Sequence, residues 1–205
     1  MKDIKVVAFD CDGVLFDTEE ANMAYYNEIL KKFNSPGMTK DQFSYTHMHT
    51  VDESIAYLFE EKSLREAAQV FRKSMSYMPF IKYMKIEPGL KPLLSELRPD
   101  YKIAIATNRT DTMDRVLMEY GLEELFDLVV TALDVKYPKP DPEPLNKILT
   151  HFEIEAHQAI YIGDSKLDEQ AADAAEIPFV SYNNTSLTAA FHVKCLTELK
   201  TILRN

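Results

Sequence analysis

The chain has 205 residues, 46% of them hydrophobic and 27% charged, the balance of a globular protein with room for one core domain and a modest second one. Its net charge of −10 argues against nucleic acid as a partner, because phosphate backbones attract basic surfaces; a small phosphorylated molecule stays open, since only the local field of a site matters to it. No uninterrupted apolar stretch approaches membrane length and the first residues lack a signal-peptide pattern, so the expected setting is cytoplasmic, with no membrane partner.

The first element is Val6-Val7-Ala8-Phe9, an apolar run rich in β-branched residues that reads as a strand buried on both faces. Asp10 and Asp12 follow it and belong at its carboxyl end, where open α/β sheets place their ligand crevices. Strand alternation sends both to one side and Cys11 to the other, where it reads as a small core residue. With Cys195 as its only companion, it supports neither a disulfide framework nor a zinc site. Asp-x-Asp alone is weak, since a strand-ending turn also favours Asp and Gly.

From about Thr18 to Met84 the spacing is helical: Tyr26, Ile29, Leu30 and Phe33, then Val51, Ile55, Leu58 and Phe59, then Leu64, Ala67, Ala68, Phe71 and Met75. From Glu87 onward strands alternate with helices. Tyr101–Thr107 reads as a strand, and Met113, Val116, Leu117 and Tyr120 mark a helix ended by Gly121. Leu128–Thr131 is a short strand, followed by a helix carrying Leu145, Ile148, Leu149 and Phe152. Ala159–Ile162 is a strand, an Ala-rich helix follows, Ile177–Ser181 is a fifth strand, and Leu196, Leu199 and Leu203 suggest a closing helix. Such alternation implies an α/β fold, a Rossmann-like parallel sheet with helices on both faces. The expected division is a core of 1–16 and 86–205 with an inserted all-helical domain, 17–85, over the mouth of the sheet.

Three further motifs end later strands. Ile105-Ala106-Thr107-Asn108-Arg109 brings a hydroxyl and an amide to a helix start, a ready anion site, although Thr110 could equally serve there as an N-cap. Lys139-Pro140-Asp141-Pro142 holds a lysine on rigid, proline-flanked backbone. In Ile160-Tyr161-Ile162-Gly163-Asp164-Ser165, Asp164 ends a strand, and Asp168 falls in the first turn of the next helix, where an acid is also an ordinary dipole partner.

In order and placement, Asp10-Cys11-Asp12-Gly13-Val14, Thr107, Lys139 and Gly163-Asp164-Ser165-Lys166-Leu167-Asp168 resemble the motifs of the haloacid dehalogenase-like superfamily. The resemblance spans nearly the whole chain, includes Phe16-Asp17-Thr18-Glu19, and extends to the helical insertion, which looks like a type 1 cap. It is closest in kind to the phosphoglycolate phosphatase-like branch and implies a phosphoric monoester hydrolase acting on a small phosphorylated metabolite with Mg²⁺, with Asp10 and Asp164 binding the ion through carboxylates, Asp12 through its backbone carbonyl, and Asp168 supporting the site from behind. Asp10 would be the nucleophile and Asp12 the acid and base, while Thr107, Asn108 and Lys139 would bind phosphate. Close carboxylate pairs repel by about 4 kcal/mol at an effective dielectric near 20, which a divalent ion relieves.

The presence of Asp12 favours phosphate esters, whose alkoxide leaving group needs a proton. A phosphomutase of the β-phosphoglucomutase type is the alternative; relatives of that kind have a histidine where this chain resembles them with Asn22. A non-catalytic binding or regulatory role on this fold is a third reading, and no catalytic aspartate is missing to support it. The chain also departs from the family in Ala171-Ala172-Asp173-Ala174-Ala175-Glu176, where the helix usually ends in glycine. Lys62, Arg65, Arg72, His47 and His49 are the cap side chains available to choose a substrate, although such residues more often serve as surface charges. The sequence fixes neither the substrate nor the oligomeric state.

Overall fold

The computed structural model describes residues 3–204. The chain divides into two compact units, one built from residues up to 16 together with those from 86 onward, the other from 17–85. In chain order the elements are β1 (Val6–Phe9), β2 (Phe16–Asp17), α1 (Glu19–Lys32), α2 (Lys40–Met48), α3 (Val51–Leu58), α4 (Lys62–Ser74), α5 (Met78–Ile81), β3 (Lys85–Ile86), α6 (Leu90–Leu97), β4 (Lys102–Ala106), α7 (Met113–Tyr120), β5 (Leu128–Val130), α8 (Glu143–Phe152), β6 (Ala159–Gly163), α9 (Lys166–Ala174), β7 (Phe179–Tyr182), β8 (Phe191–Val193) and α10 (Leu199–Arg204).

In the larger unit six strands form one sheet in the order β5-β4-β1-β6-β7-β8, and every neighbouring pair is parallel. β1 lies at the centre, with Phe9 beside Ile105 of β4 and Ile162 of β6. That register brings the residues just after three strands, Asp10, Thr107 and Asp164, to one edge. Val6, Ala8, Ala104, Ala106 and Tyr161 pack on one face against Leu145 and Ile148 of α8 and Ala171 and Ala172 of α9. Val7, Phe9, Ile103, Ile105, Ile160 and Ile162 alternate to the other face and are equally buried. A sheet covered on both faces explains why its strands read as unbroken apolar runs. In the smaller unit Tyr25, Tyr26, Ile29 and Leu30 of α1 pack against Ile55, Phe59 and Ala68.

Several boundaries differ from the sequence expectation. The fifth predicted strand begins at Phe179, because Ile177 is used to close α9: its N–H donates to the Ala172 carbonyl at 3.0 Å. Thr110 is not the cap of α7, which starts at Met113 behind Thr112. The closing segment is a 3₁₀ turn over Leu196–Glu198 followed by α10. Periodicity missed α2, a mostly polar helix that begins in a reciprocal Thr39–Gln42 capping box. It also missed β8, whose Phe191 and His192 are exposed at the sheet edge.

The unusual end of α9 has a structural answer. Glu176, with φ of 57°, takes the left-handed position that a glycine would occupy without steric cost. Its N–H donates to the Asp173 carbonyl at 3.0 Å, so the turn closes despite the side chain. Glu176→Gly should therefore raise the urea midpoint, by an amount corresponding to about 1 kcal/mol. An unchanged or lowered midpoint would show that the turn carries no such strain.

Candidate active site

Asp10, which is 7% exposed, follows β1 directly, and its N–H donates to the Ile162 carbonyl at 2.8 Å. Lys139, 3% exposed, approaches from the loop before α8. Its backbone is clamped by Asn108, which accepts from the Lys139 N–H at 3.0 Å and donates to the Lys139 carbonyl at 2.9 Å. The Lys139 ammonium donates to Asp10 Oδ1 at 2.7 Å, Asp168 Oδ1 at 2.6 Å and the Tyr161 hydroxyl at 2.9 Å. Those three partners account for its three protons. The Tyr161 proton lies between Asp168 Oδ1, at 2.8 Å, and the Ala106 carbonyl, at 3.0 Å.

Asp168 is fully buried. Its second oxygen accepts from the Ser165 N–H at 3.1 Å and from the Ser165 hydroxyl at 2.5 Å. Asp164 is placed from its own backbone, where Asn184 Nδ2 donates to its carbonyl at 2.8 Å. Oxygens of Asp10, Asp164 and Asp168 come within 4.8 Å of one another. Two glycines permit this crowding. A Cβ on Gly13 would stand 2.1 Å from Asp164 Oδ2, and one on Gly163 would stand 2.4 Å from Asp168 Cβ.

The Asp12 carboxylate lies apart from that cluster, gripped by a guanidinium fork: Arg109 Nε donates to Oδ2 at 2.7 Å and Arg109 Nη2 to Oδ1 at 2.8 Å. Thr107 is 1% exposed, and its hydroxyl accepts from the Arg109 N–H at 3.1 Å. Every predicted site residue thus lies at the carboxyl edge of the sheet or in the loops and helix that meet it.

Burial and charge together account for the titration behaviour. Four carboxylates (Asp10, Asp12, Asp164, Asp168) meet two cations (Lys139, Arg109), which leaves two negative charges in excess. Burial raises the Asp10 carboxyl, Lys139 pulls it down, and Asp168 and Asp12 push it up again, to about 7 overall. Asp164 is pushed well above the usual range, by burial first and then by Asp168 and Asp10. Burial also opposes the charge on Asp168, but Lys139 and the hydrogen bonds from Lys139, Ser165 and Tyr161 hold it below the usual range. Burial works against the Lys139 charge, and the carboxylates of Asp10 and Asp168 more than offset it.

Arg109 and Tyr161 are the contributors that motif spacing alone did not assign. Arg109 stood in plain view directly after Thr107-Asn108, and Tyr161 was the single polar-tipped residue in an aliphatic strand.

In the 17–85 unit, Asn22 Nδ2 donates to Thr18 Oγ1 at 3.3 Å and lies 3.5 Å from His47 Nδ1, while the Tyr77 hydroxyl donates to Asn22 Oδ1 at 2.9 Å. Arg65 donates to the carbonyls of Phe59 and Glu60 after α3, and Arg72 pairs with Asp52 at 3.2 Å. Lys62 is exposed beside Glu66, and His49 stacks on Tyr45. These contacts give Arg65, Arg72, Lys62 and His49 local structural roles.

Residues 7–182 match the haloacid dehalogenase-like hydrolase family. The chain belongs to that family. It is 28% identical over 180 residues to the phosphorylated carbohydrates phosphatase of Thermotoga maritima, covering 85% of this chain and 82% of that one. It is 28% identical over 186 residues to the phosphoglycolate phosphatase of Nitrosospira multiformis, covering 84% and 80%. Among solved structures, a HAD-superfamily hydrolase of subfamily IA, variant 1, from Geobacter sulfurreducens superposes with a TM-score of 0.81 at 35% identity, over 98% of this chain and 97% of that one.

The raised Asp10 carboxyl has a consequence for stability. Folded Asp10 keeps its proton to about pH 7, whereas the ordinary value is 3.8. Between those values the folded state binds more protons than the unfolded one, so stability falls as pH rises through that window. In metal-free buffer Asp10→Asn should be more stable than the parent at pH 8, by at most ~4 kcal/mol, with the margin shrinking toward pH 4. A margin that does not change with pH in urea unfolding would contradict this electrostatic account.

Proposed function

We propose that the chain is a Mg²⁺-dependent phosphatase that hydrolyses a small phosphorylated metabolite through a phosphoryl-enzyme on Asp10. The observation that carries this reading is a buried carboxylate at a central strand end, hydrogen-bonded at 2.7 Å to a buried lysine and within 4.8 Å of two further carboxylates. A small open pair of acids in a turn would need none of this burial.

The residues fit a hard divalent cation. The donor set is all oxygen, two of its carboxyls are pushed upward by burial and then by their acidic neighbours, and the excess is that of one divalent ion. Asp10 and Asp164 would hold it with carboxylates and Asp12 with its backbone carbonyl. The oxygens of Asp168 are taken by Lys139, Tyr161 and Ser165, which suits a supporting role. When bound, Mg²⁺ supplies positive charge that permits an anionic phosphate to approach an anionic nucleophile.

Asp10 then forms a bond to phosphorus as the ester P–O bond breaks, and Asp12 gives the departing oxygen its proton. In the second step Asp12 takes a proton from the water that attacks phosphorus, which frees Asp10 and releases phosphate. Lys139 is bonded to Asp10 and Thr107 follows the neighbouring strand; both would hold the transferring oxygens as charge redistributes, with Asn108 contributing its backbone N–H because its side-chain amide is spent on Lys139. Asn22, at the position that resembles the one where mutase-like relatives have histidine, weakens the reading in which a second sugar oxygen is the acceptor. Residues 17–85 would act as the cap that selects the substrate. No described helix is long and apolar enough to cross a membrane.

Activity should disappear with a chelator and return with added Mg²⁺. Full turnover in rigorously metal-free protein would remove the ion from the scheme. The two first-motif acids should also separate kinetically. With an activated aryl phosphate, Asp12→Ala should release a burst of aryl alcohol and accumulate phosphoprotein, since only the second step still needs a base; loss of that group commonly costs ~10²–10⁴-fold. Asp10→Asn should form no phosphoprotein in rapid-quench mass measurements. Its phosphorylation on the turnover timescale would reassign the nucleophile.

A further inference from the structure

Phosphoryl transfer asks Lys139 for one more contact than it has protons. An ammonium carries three N–H donors, and all three are engaged: by Asp10 Oδ1 at 2.7 Å, by Asp168 Oδ1 at 2.6 Å and by the Tyr161 hydroxyl at 2.9 Å. Lys139 is 3% exposed, and Asp168 and Tyr161 are fully buried, so water does not replace a lost partner. Sharing one proton between two acceptors bends both bonds away from the linear geometry they favour. To hold a phosphoryl oxygen, Lys139 therefore gives up one of the three.

The partners are not equivalent. Coulomb attraction adds to a bond between an ammonium and a carboxylate and not to one with a phenol. Burial first, then Asp168 and Asp10, push the Tyr161 phenol well above its ordinary value, so its oxygen is neutral. Its own proton has two acceptors of its own, Asp168 Oδ1 at 2.8 Å and the Ala106 carbonyl at 3.0 Å. Tyr161 thus stays hydrogen-bonded when Lys139 leaves it. Neither acid has that freedom, and Asp10 must also stay aligned for attack.

We propose that Tyr161 is a positioning residue whose hydroxyl holds the third Lys139 proton before a phosphoryl group binds and yields it to a phosphoryl oxygen when one arrives. Each phosphate must displace that bond, so Tyr161 aims the ammonium and at the same time loosens the grip on phosphate. The inference rests on the phosphatase reading above and gives a role to a buried group that the reading leaves unused.

The test is Tyr161→Phe. Phenylalanine keeps the ring, whose centroid lies 5.6 Å from Lys139 Nζ, and removes the hydroxyl alone. The third proton then has no acceptor until phosphate supplies one. In calorimetric titration with Mg²⁺ present, inorganic phosphate should bind Tyr161→Phe about tenfold more tightly than the parent, the size of a hydrogen bond to a charged group. KM for an aryl phosphate should fall with no gain in kcat. The variant's deficit in thermal stability should shrink once phosphate saturates the site, since phosphate then stabilises it more than the parent. An unchanged or weaker phosphate affinity, with a stability deficit that phosphate does not reduce, would overturn the proposal and leave Tyr161 a packing residue.

A second measurement needs no variant. In a crystal structure of the parent with Mg²⁺ and inorganic phosphate, Lys139 Nζ should donate to a phosphate oxygen and stand beyond roughly 3.5 Å from the Tyr161 hydroxyl. Lys139 still bonded to Tyr161, with phosphate held by other groups, would overturn the proposal. If the parent hydrolyses an aryl phosphate but binds no inorganic phosphate, the proposal fails while the phosphatase reading stands. If it does neither, both fail.

Discussion

One buried ammonium organises this site. Lys139 reaches Asp10 and Asp168 together, at 2.7 and 2.6 Å, from a backbone that Asn108 holds on both its N–H and its carbonyl. Removing that charge would leave two buried carboxylates facing each other, a loss of the order of 3–5 kcal/mol for broken buried pairs. The sheet order supplies the geometry. β1 lies between β4 and β6, so residues far apart in sequence arrive at one edge with their partners already opposed.

The same arrangement explains why the site invites a cation. Lys139 and Arg109 leave the four carboxylates short of neutrality, and Asp10 and Asp164 bear it, their carboxyls pushed upward by burial and then by the neighbouring acids. Asp168 is spared because its four hydrogen bonds occupy both oxygens. A structure selected for stability alone would not crowd acids in this way; two glycines are needed even to fit them. The crowding is therefore a mark of a functional site, and it falls on the two carboxyls that the proposed mechanism uses to hold the metal and attack phosphorus.

Much of this is legible in the amino-acid sequence. The apolar strand, the alternation of periods after Glu87 and the positions of Asp10, Asp12, Thr107, Lys139, Asp164 and Asp168 follow from local sequence, because strand ends and helix starts have local signatures. What stayed hidden is nonlocal. Nothing in the spacing says that Lys139 will choose Asp168, 29 residues on, or that Arg109 will fork an acid 97 residues before it. Asp168 in particular read as an ordinary partner of a helix dipole, and its burial under Lys139 became visible only with α9 packed on the sheet. β8 and α2 escaped because their stability comes from an edge pairing and a capping box, neither of which imposes an apolar period.

The central claim is that phosphoryl transfer passes through the Asp10 carboxylate held by Lys139. It is tested most directly by quenching turnover with borohydride, which reduces an acyl phosphate to an alcohol, and locating the change by peptide mass spectrometry. The account predicts conversion of residue 10 to homoserine, dependent on substrate and absent from enzyme quenched without it. Reduction at another carboxylate, or turnover with residue 10 unmodified under conditions where an acyl phosphate standard is trapped, would contradict it.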